Sequence, residues 1–278
     1  KDKYSLPQLL KLLQISKSSF YYQKKAMKKP DKYYELRINI IQFFKENRNC
    51  YGYRLIHSEL KKTGIAVSEK IVRHIMKAEK LTVPEKRMKK YNSYKGEITP
   101  EVANLLNRDF YADQPNIKWL TGITEFAIPA GKVYLSPVID CFDGMIVSWN
   151  VGTAPDSLLV NKMLEVAIST ISPSEHPIVH TDRGSRYRWP GWIDRMNTAG
   201  LTRSMSKKGC SPDNAACEGF FGRLKNEMFY GRSWIDVSIN SFIDEINNYI
   251  IRYNTKRIKQ SLGYMSPVEY RHSLGLAV

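Results

Sequence analysis

Ile178-Val179-His180-Thr181-Asp182-Arg183-Gly184 and, further on, Ser211-Pro212-Asp213-Asn214-Ala215-Ala216-Cys217-Glu218-Gly219-Phe220-Phe221-Gly222-Arg223-Leu224-Lys225-Asn226-Glu227 are the stretches from which the fold can be read. The apolar run before Asp182 predicts a short buried strand that delivers this carboxylate to a turn. Pro212 predicts the first turn of a helix, where a missing N–H costs nothing, and that helix carries Glu218. On it Asn214, Glu218 and Lys225 fall at i, i+4 and i+11 and share one face. An amide, a carboxylate and an ammonium on one face point to metal and phosphate chemistry rather than to a core stripe. Ala215, Phe220, Phe221 and Leu224 supply the face that packs inward.

Thirty-five residues lie between Asp182 and Glu218. His180 to Tyr187 resembles the wording His-Ser/Thr-Asp-x-Gly-Ser-x-Tyr, and Ser206 to Glu227 resembles Ser-x-x-Gly-x-x-x-Asp-Asn-Ala-x-x-Glu-x-Phe-Phe-x-x-Leu-Lys-x-Glu. Both wordings, and the spacing of the two acids, are similar to those of the second-frame (OrfB) transposases of bacterial insertion sequences, which share a DDE catalytic core with the retroviral integrases. The resemblance runs over about residues 34 to 272. It implies an RNase H-like mixed-sheet core preceded by all-α helix-turn-helix DNA-binding units. It also implies metal-dependent cleavage of DNA and transfer of its strands, with two Mg²⁺ or Mn²⁺ ions in an intact site and Asp182 and Glu218 among their ligands. Lys225 is then expected on a phosphate or terminal base, and Asn214 beside Glu218 or the DNA. The implied partners are double-stranded DNA, at the element's terminal inverted repeats and at the target, and further copies of this chain in a homodimer or higher assembly. The expected location is the bacterial cytoplasm, on the nucleoid when bound to DNA.

One residue departs from the pattern. The resembled family reads Trp-x-Thr-Asp-Ile-Thr-Glu-Phe on its first core strand, and this chain reads Trp119-Leu120-Thr121-Gly122-Ile123-Thr124-Glu125-Phe126. Gly122 stands where the resemblance puts the first, ion-bridging Asp. Glycine also brings no side chain to pack in a β-branched strand. A natural bulge is one reading. A removed carboxylate fits the neighbours better and implies an impaired enzyme. A catalytically silent DNA-binding regulator of transposition is the alternative function, and an RNase H-like nuclease on other nucleic acids is a further rival. Asp140 and Asp143, after the second core strand, read as turn-makers, with Asp140 the first substitute ligand to test.

Charge separates the chain into two parts. The net charge is +16, but residues 1–110 carry 25 Lys/Arg against 11 Asp/Glu, a net of +14, leaving +2 for the rest. Such an imbalance points to a polyanionic partner for the N-terminal third. Cys50, Cys141, Cys210 and Cys217 lack the spacing of a zinc or disulfide framework and fit a reducing compartment. No apolar run reaches the ~20 residues of a membrane span. A start at Lys1 rather than Met fits a piece of a longer product.

Five segments follow. Residues 1–30 are helical around Leu6–Leu10 and Lys17–Lys25, as a small helix-turn-helix presenting Lys17 and Tyr22 or as a plain helical hairpin. Residues 31–83 form a helix-turn-helix domain: a helix from Tyr34 to Glu46, another through Arg54 to Lys62, and a third from Ser68, an N-cap residue, to Lys80. That last helix has Ile71, Val72, Ile75 and Met76 facing inward and Lys70, Arg73, His74 and Lys77 facing out, the layout of a recognition helix. Residues 84–106 make a basic linker whose Lys86, Arg87, Lys89 and Lys90 suit DNA phosphates. Residues 107–232 are the catalytic core, with strands at 117–126, 132–139, 145–151, 178–181 and 201–205. Residues 233–278 form a helical C-terminal segment that either packs on the core or contacts DNA.

Overall fold

The computed structural model describes residues 5–27, 31–83, 102–207 and 210–276. Lys86, Arg87, Lys89 and Lys90 lie outside the described residues. The first helix pair, α1 (Leu6–Leu12) and α2 (Lys17–Met27), buries only Leu10 among its described residues. Three helices follow, α3 (Tyr34–Glu46), α4 (Tyr53–Lys62) and α5 (Glu69–Ala78). Their apolar positions recur every three to four residues, so each helix turns one stripe inward. Ile40 and Phe44, Ile56 and Leu60, and Val72, Ile75 and Met76 meet in one buried cluster.

The core is one mixed sheet. Strands β1 (Lys118–Thr121) and β2 (Thr124–Ile128) both pair antiparallel with β3 (Gly131–Asp140), which pairs on its other side with β4 (Ile146–Gly152). The pairs Thr121↔Val138 and Thr124↔Leu135 belong to a single register, so β1 and β2 are one strand in all but hydrogen bonding. That register sets Gly122 opposite Pro137, which has no N–H to give to the ladder. No residue is inserted at Gly122, and the bulge reading is overturned. Helix α6 (Ser157–Ser169) crosses to β5 (Ile178–Thr181), which runs parallel to β1, and α7 (Pro190–Thr198) crosses to β6 (Thr202–Met205), parallel to β5. A three-strand antiparallel half and a parallel half with crossover helices make the RNase H-like arrangement.

Alternation along β1 and β3 feeds both faces of the sheet. On one face Leu120, Phe126, Leu135 and Ile139 pack under α8 (Ala215–Leu224) and α9 (Ile239–Thr255). On the other, Trp119, Val138 and Val179 pack under α6 and α7. Full burial of a side chain such as Leu120 or Phe126 is worth about 1.5–3 kcal/mol, so the two layers hold the strand ends rigidly.

The C-terminal segment packs on the core. The Asn254 side chain accepts from Ile146 N at 3.0 Å and donates to Ile146 O at 2.8 Å. Arg257 pairs with Glu227 at 2.6 Å. From α10 (Pro267–Ser273), Arg271 reaches Asp140 at 2.8 Å and Asp143 at 2.7 Å. The same segment lends Ile258 to the helix-turn-helix cluster, and Tyr51 Oη accepts from Ile258 N at 3.2 Å. No helix among the described residues is long and apolar enough to cross a membrane.

Candidate active site

β5 lies between β1 and β6, so its carboxyl end opens where ligands gather in sheets with parallel strands. Asp182 stands at that end. Its Oδ1 accepts the Gly184 N–H at 2.7 Å, and a Cβ on Gly184 would come within 2.9 Å of that oxygen and shift the carboxylate. Burial pushes the Asp182 carboxyl up, opposed by the Gly184 N–H and the charge of Arg186. His180, two residues earlier, is a satisfied core residue: its ring nitrogens lie 2.9 and 3.0 Å from Ser204 and Ser206 Oγ.

Glu218 projects from α8 close enough for its carboxyl to be pushed up by burial and then by the charge of Asp182. Neither acid is in an ion pair among the described residues. Two under-neutralised carboxylates that oppose one another form a hard-oxygen donor set. Among the described residues, however, no three acids, His or Cys stand together as a metal cluster.

Gly122 follows the last residue of β1 and packs against the start of α8. A Cβ there would stand 3.4 Å from Cys217 Sγ, 3.4 Å from Phe221 Cε2 and 3.5 Å from Asn214 Nδ2, which is ordinary contact. Nor is Gly122 among the glycines with positive φ, so its backbone accepts any L-residue. Glycine is therefore not required here by space or by conformation.

The helix expected from Pro212 takes three forms. Ser211–Asn214 is a 3₁₀ turn, α8 follows, and Lys225–Phe229 widens to a π-helix. Asp213 holds the tight turn, accepting from Arg108 Nε at 2.9 Å and Lys207 N at 3.0 Å. The single face expected for Asn214, Glu218 and Lys225 on one regular helix is corrected accordingly. Asn214 donates to Thr121 O at 3.1 Å and leaves its Oδ1 buried and unpartnered. It lines the Gly122 space. Lys225 lies 5.3 Å above the Phe126 ring, where burial lowers its pKa against the opposing charge of Glu125.

Asp140 is not a spare ligand. Buried at the end of β3, it accepts from Asn116 N and Phe142 N and is held by Arg271. Its turn-making role is present, and the Arg271 contact makes it a structural tie.

Sequence reasoning missed the cleft that Asp182 opens into, of about 260 Å³ and lined by Ile123, Glu125, Tyr134, Pro155, Arg186 and Tyr187. Glu125 and Tyr134 are register partners across the β2–β3 hairpin, a pairing that strand alternation could have found. Nothing local in the sequence brings Arg186 to the Pro155 carbonyl.

On the helix-turn-helix unit, Lys70, Arg73, His74 and Lys77 are all exposed on α5. Arg54 is exposed on α4 and lies 5.3 Å from the Tyr53 ring, with Arg73 at 5.7 Å, so one ring gathers two guanidinium groups of one basic surface. Lys17 and Tyr22 are exposed on α2, apart from these clusters.

Residues 112–211 and 218–274 each match a family described as Integrase core domain, and residues 32–90 match one described as HTH-like domain. The transposase assigned to insertion sequence element IS1353 of Shigella flexneri is 55% identical over 98% of this chain. This chain spans only about half of that relative, 53% of its length. The transposase InsK assigned to IS150 of Escherichia coli K12 is 40% identical, over 97% of this chain and 94% of its own length. A solved structure, the HTLV-2 integrase catalytic core domain in complex with magnesium, matches 57% of this chain and 97% of that chain at TM-score 0.44 and 17% identity.

Proposed function

This chain belongs to the insertion-sequence transposases with an integrase core domain, and we propose that it binds the DNA ends of its element and carries a strand-transfer site lacking one carboxylate. The observation that carries the reading is the backbone at Gly122, which lies outside the positive-φ region and on which a Cβ would stand at ordinary contact distance from Asn214 and from Cys217, the neighbour of Glu218.

The reaction joins a 3′-hydroxyl oxygen to phosphorus while the bond from phosphorus to the departing ester oxygen breaks in line. Mg²⁺ or Mn²⁺, when bound, supplies activation of the attacking oxygen and charge neutralisation at the phosphate. Asp182 and Glu218 are the residues that would hold the ions. Their donor chemistry fits hard cations, but the carboxylate shared between two ions is absent at position 122. Lys225 supplies a positive charge for a phosphate, and Asn214, whose Nδ2 would stand 3.5 Å from a Cβ at position 122, steadies Glu218 or the DNA. Lys70, Arg73, Lys77 and Arg54 hold the backbone of the element ends, and Lys17, Tyr22, Lys86, Arg87, Lys89 and Lys90 are further candidate contacts to DNA by residue type. Acting on two ends together calls for a homodimer or larger assembly.

The chain as written should assemble on element ends without cleaving or joining them. Gly122→Asp should bring Mg²⁺- or Mn²⁺-dependent strand transfer and a metal-dependent rise in melting temperature, and a further Glu218→Gln should abolish both. Strand transfer by the unaltered chain would refute the role of position 122. The same glycine favours a second reading, a silent DNA-binding regulator of transposition, which gains if Gly122→Asp binds metal and DNA yet stays inert.

A further inference from the structure

Asp182 and Arg186 line one cleft of about 260 Å³, with Ile123, Tyr134, Pro155 and Tyr187 on its other walls. The charge of Arg186 reaches the Asp182 carboxyl. Yet among the described residues the two form no ion pair, for which a nitrogen and an oxygen must come within about 4 Å. A carboxylate and a guanidinium thus share a cleft without closing on one another.

Local structure holds the arginine in place. Arg186 belongs to the 3₁₀ turn Ser185–Arg188, in which Tyr187 N donates to Gly184 O at 3.2 Å. Tyr187 is buried, its ring 4.9 Å from that of Trp192. Arg186 Nε donates to the Pro155 carbonyl. That carbonyl directly precedes the N-cap of α6, where Asp156 accepts from Leu159 N at 2.9 Å, so a helix end fixes it. A guanidinium tied at Nε still presents Nη1 and Nη2 as an end-on fork, and neither makes a hydrogen bond among the described residues. Glu125, the other acid of the cleft, does not compete for it, being paired with Lys132 at 3.0 Å.

An anchored fork without a carboxylate matches phosphate oxygens. The walls from Ile123, Tyr134, Pro155 and Tyr187 suit a sugar or a base. The volume lies below the ~300–1,000 Å³ of pockets for drug-sized ligands, so the cleft takes a single nucleotide unit and not a duplex. Lys225, already assigned to a phosphate, lies over Phe126 in the layer under α8 and α9. Arg186 adjoins Tyr187 in the layer under α6 and α7. The sheet therefore has one cation on each face near Asp182.

We propose that Arg186 binds a DNA phosphate next to the reacting one, and that the cleft between Arg186 and Asp182 holds the nucleotide joining the two phosphates. The strand is then gripped on both sides of the reaction centre. That nucleotide belongs to the element end or to the target strand, and the test separates these sources. The proposal rests on the strand-transfer reading given above.

The test uses the full chain, the variants Arg186→Gln and Arg186→Lys, and Arg73→Ala as a control on α5. DNA duplexes carry one neutral methylphosphonate at a time, in one arm along the element end and in the other along a target duplex. At one position, in one arm, the methylphosphonate should weaken binding to the unaltered chain about tenfold. It should cost Arg186→Gln nothing further, because both changes remove the same contact; the arm in which this occurs identifies the strand. Arg186→Gln should also lower the salt slope for that DNA by about 1. Arg186→Lys keeps the charge and loses the fork, so it should restore the slope without restoring the affinity. Should Arg186→Gln fail to fold, Arg186→Lys carries the same comparison, with a methylphosphonate penalty smaller than that of the unaltered chain. If Arg73→Ala weakens DNA binding while every methylphosphonate costs the Arg186 variants as much as the unaltered chain, Arg186 touches no phosphate. The proposal is then overturned and the DNA-binding reading stands. If the unaltered chain binds neither DNA, both readings fall.

Discussion

Two groups of carboxylates stand in this core, one at the end of β3 and one shared between the end of β5 and α8, and they are neutralised differently. Asp140 and Asp143, at the end of β3 and in its turn, accept N–H groups from Asn116, Phe142 and Met145 and are gripped by Arg271. Asp182, at the end of β5, accepts one N–H from Gly184, and Glu218 is pushed up by burial and by Asp182. Burial raises the carboxyl of Asp140 as it does that of Asp182, but only at Asp140 is a guanidinium in contact. The difference teaches how unevenly one core neutralises its acids: Asp140 and Asp143 are satisfied by N–H groups and Arg271, whereas Asp182 and Glu218 have no ion-pair partner among the described residues.

The comparison can be broken at its strong end first. Arg271→Leu should cost about 3–5 kcal/mol, since it leaves buried carboxylates without their cation. Denaturant unfolding would measure it, and a loss below about 1 kcal/mol would remove Arg271 as a structural tie. Asp182→Asn should keep stability within about 1 kcal/mol of the unaltered chain or raise it, because an amide keeps the acceptor for Gly184 N–H and discards a poorly solvated charge. A melting temperature falling as far as that of Arg271→Leu would erase the distinction between the groups. The smallest effect lies outside both. Arg73→Ala and Lys77→Ala should each lower the salt slope of DNA binding by about 1 and leave both carboxylate groups as stable as before. An unchanged slope would mean that α5 does not face the DNA.

Much of the architecture was legible because it rests on short-range pattern. The run from Ile178 to Thr181 gave β5 to the residue, and the helix from Tyr34 to Glu46 likewise matches α3. The strand-like runs at 117–126 and 132–139 contain the β2–β3 hairpin, and the apolar stripe gave the exposed basic face of α5. Information that lies between distant residues was not legible. Arg271 is separated from Asp140 by most of the core, and no local feature of Tyr270-Arg271-His272 announces a buried ion pair. The 3₁₀ turn at Ser211–Asn214 carries an ion pair from Asp213 to Arg108, a residue distant in sequence. The candidate acids were readable as residue types at a spacing. The fit of a Cβ at position 122 depends on side chains from the 3₁₀ turn and α8 and had to be seen.

The double hydrogen bond between Asn254 and Ile146 has a consequence for the behaviour of the chain at high concentration. β4 is an outer strand of the sheet, and outer strands offer unpaired N–H and C=O groups to any neighbouring chain. An amide side chain that both donates to and accepts from one edge residue imitates the next strand at that point and ends the ladder. Asn254 thus occupies, at Ile146, the edge positions that a neighbouring strand would otherwise take.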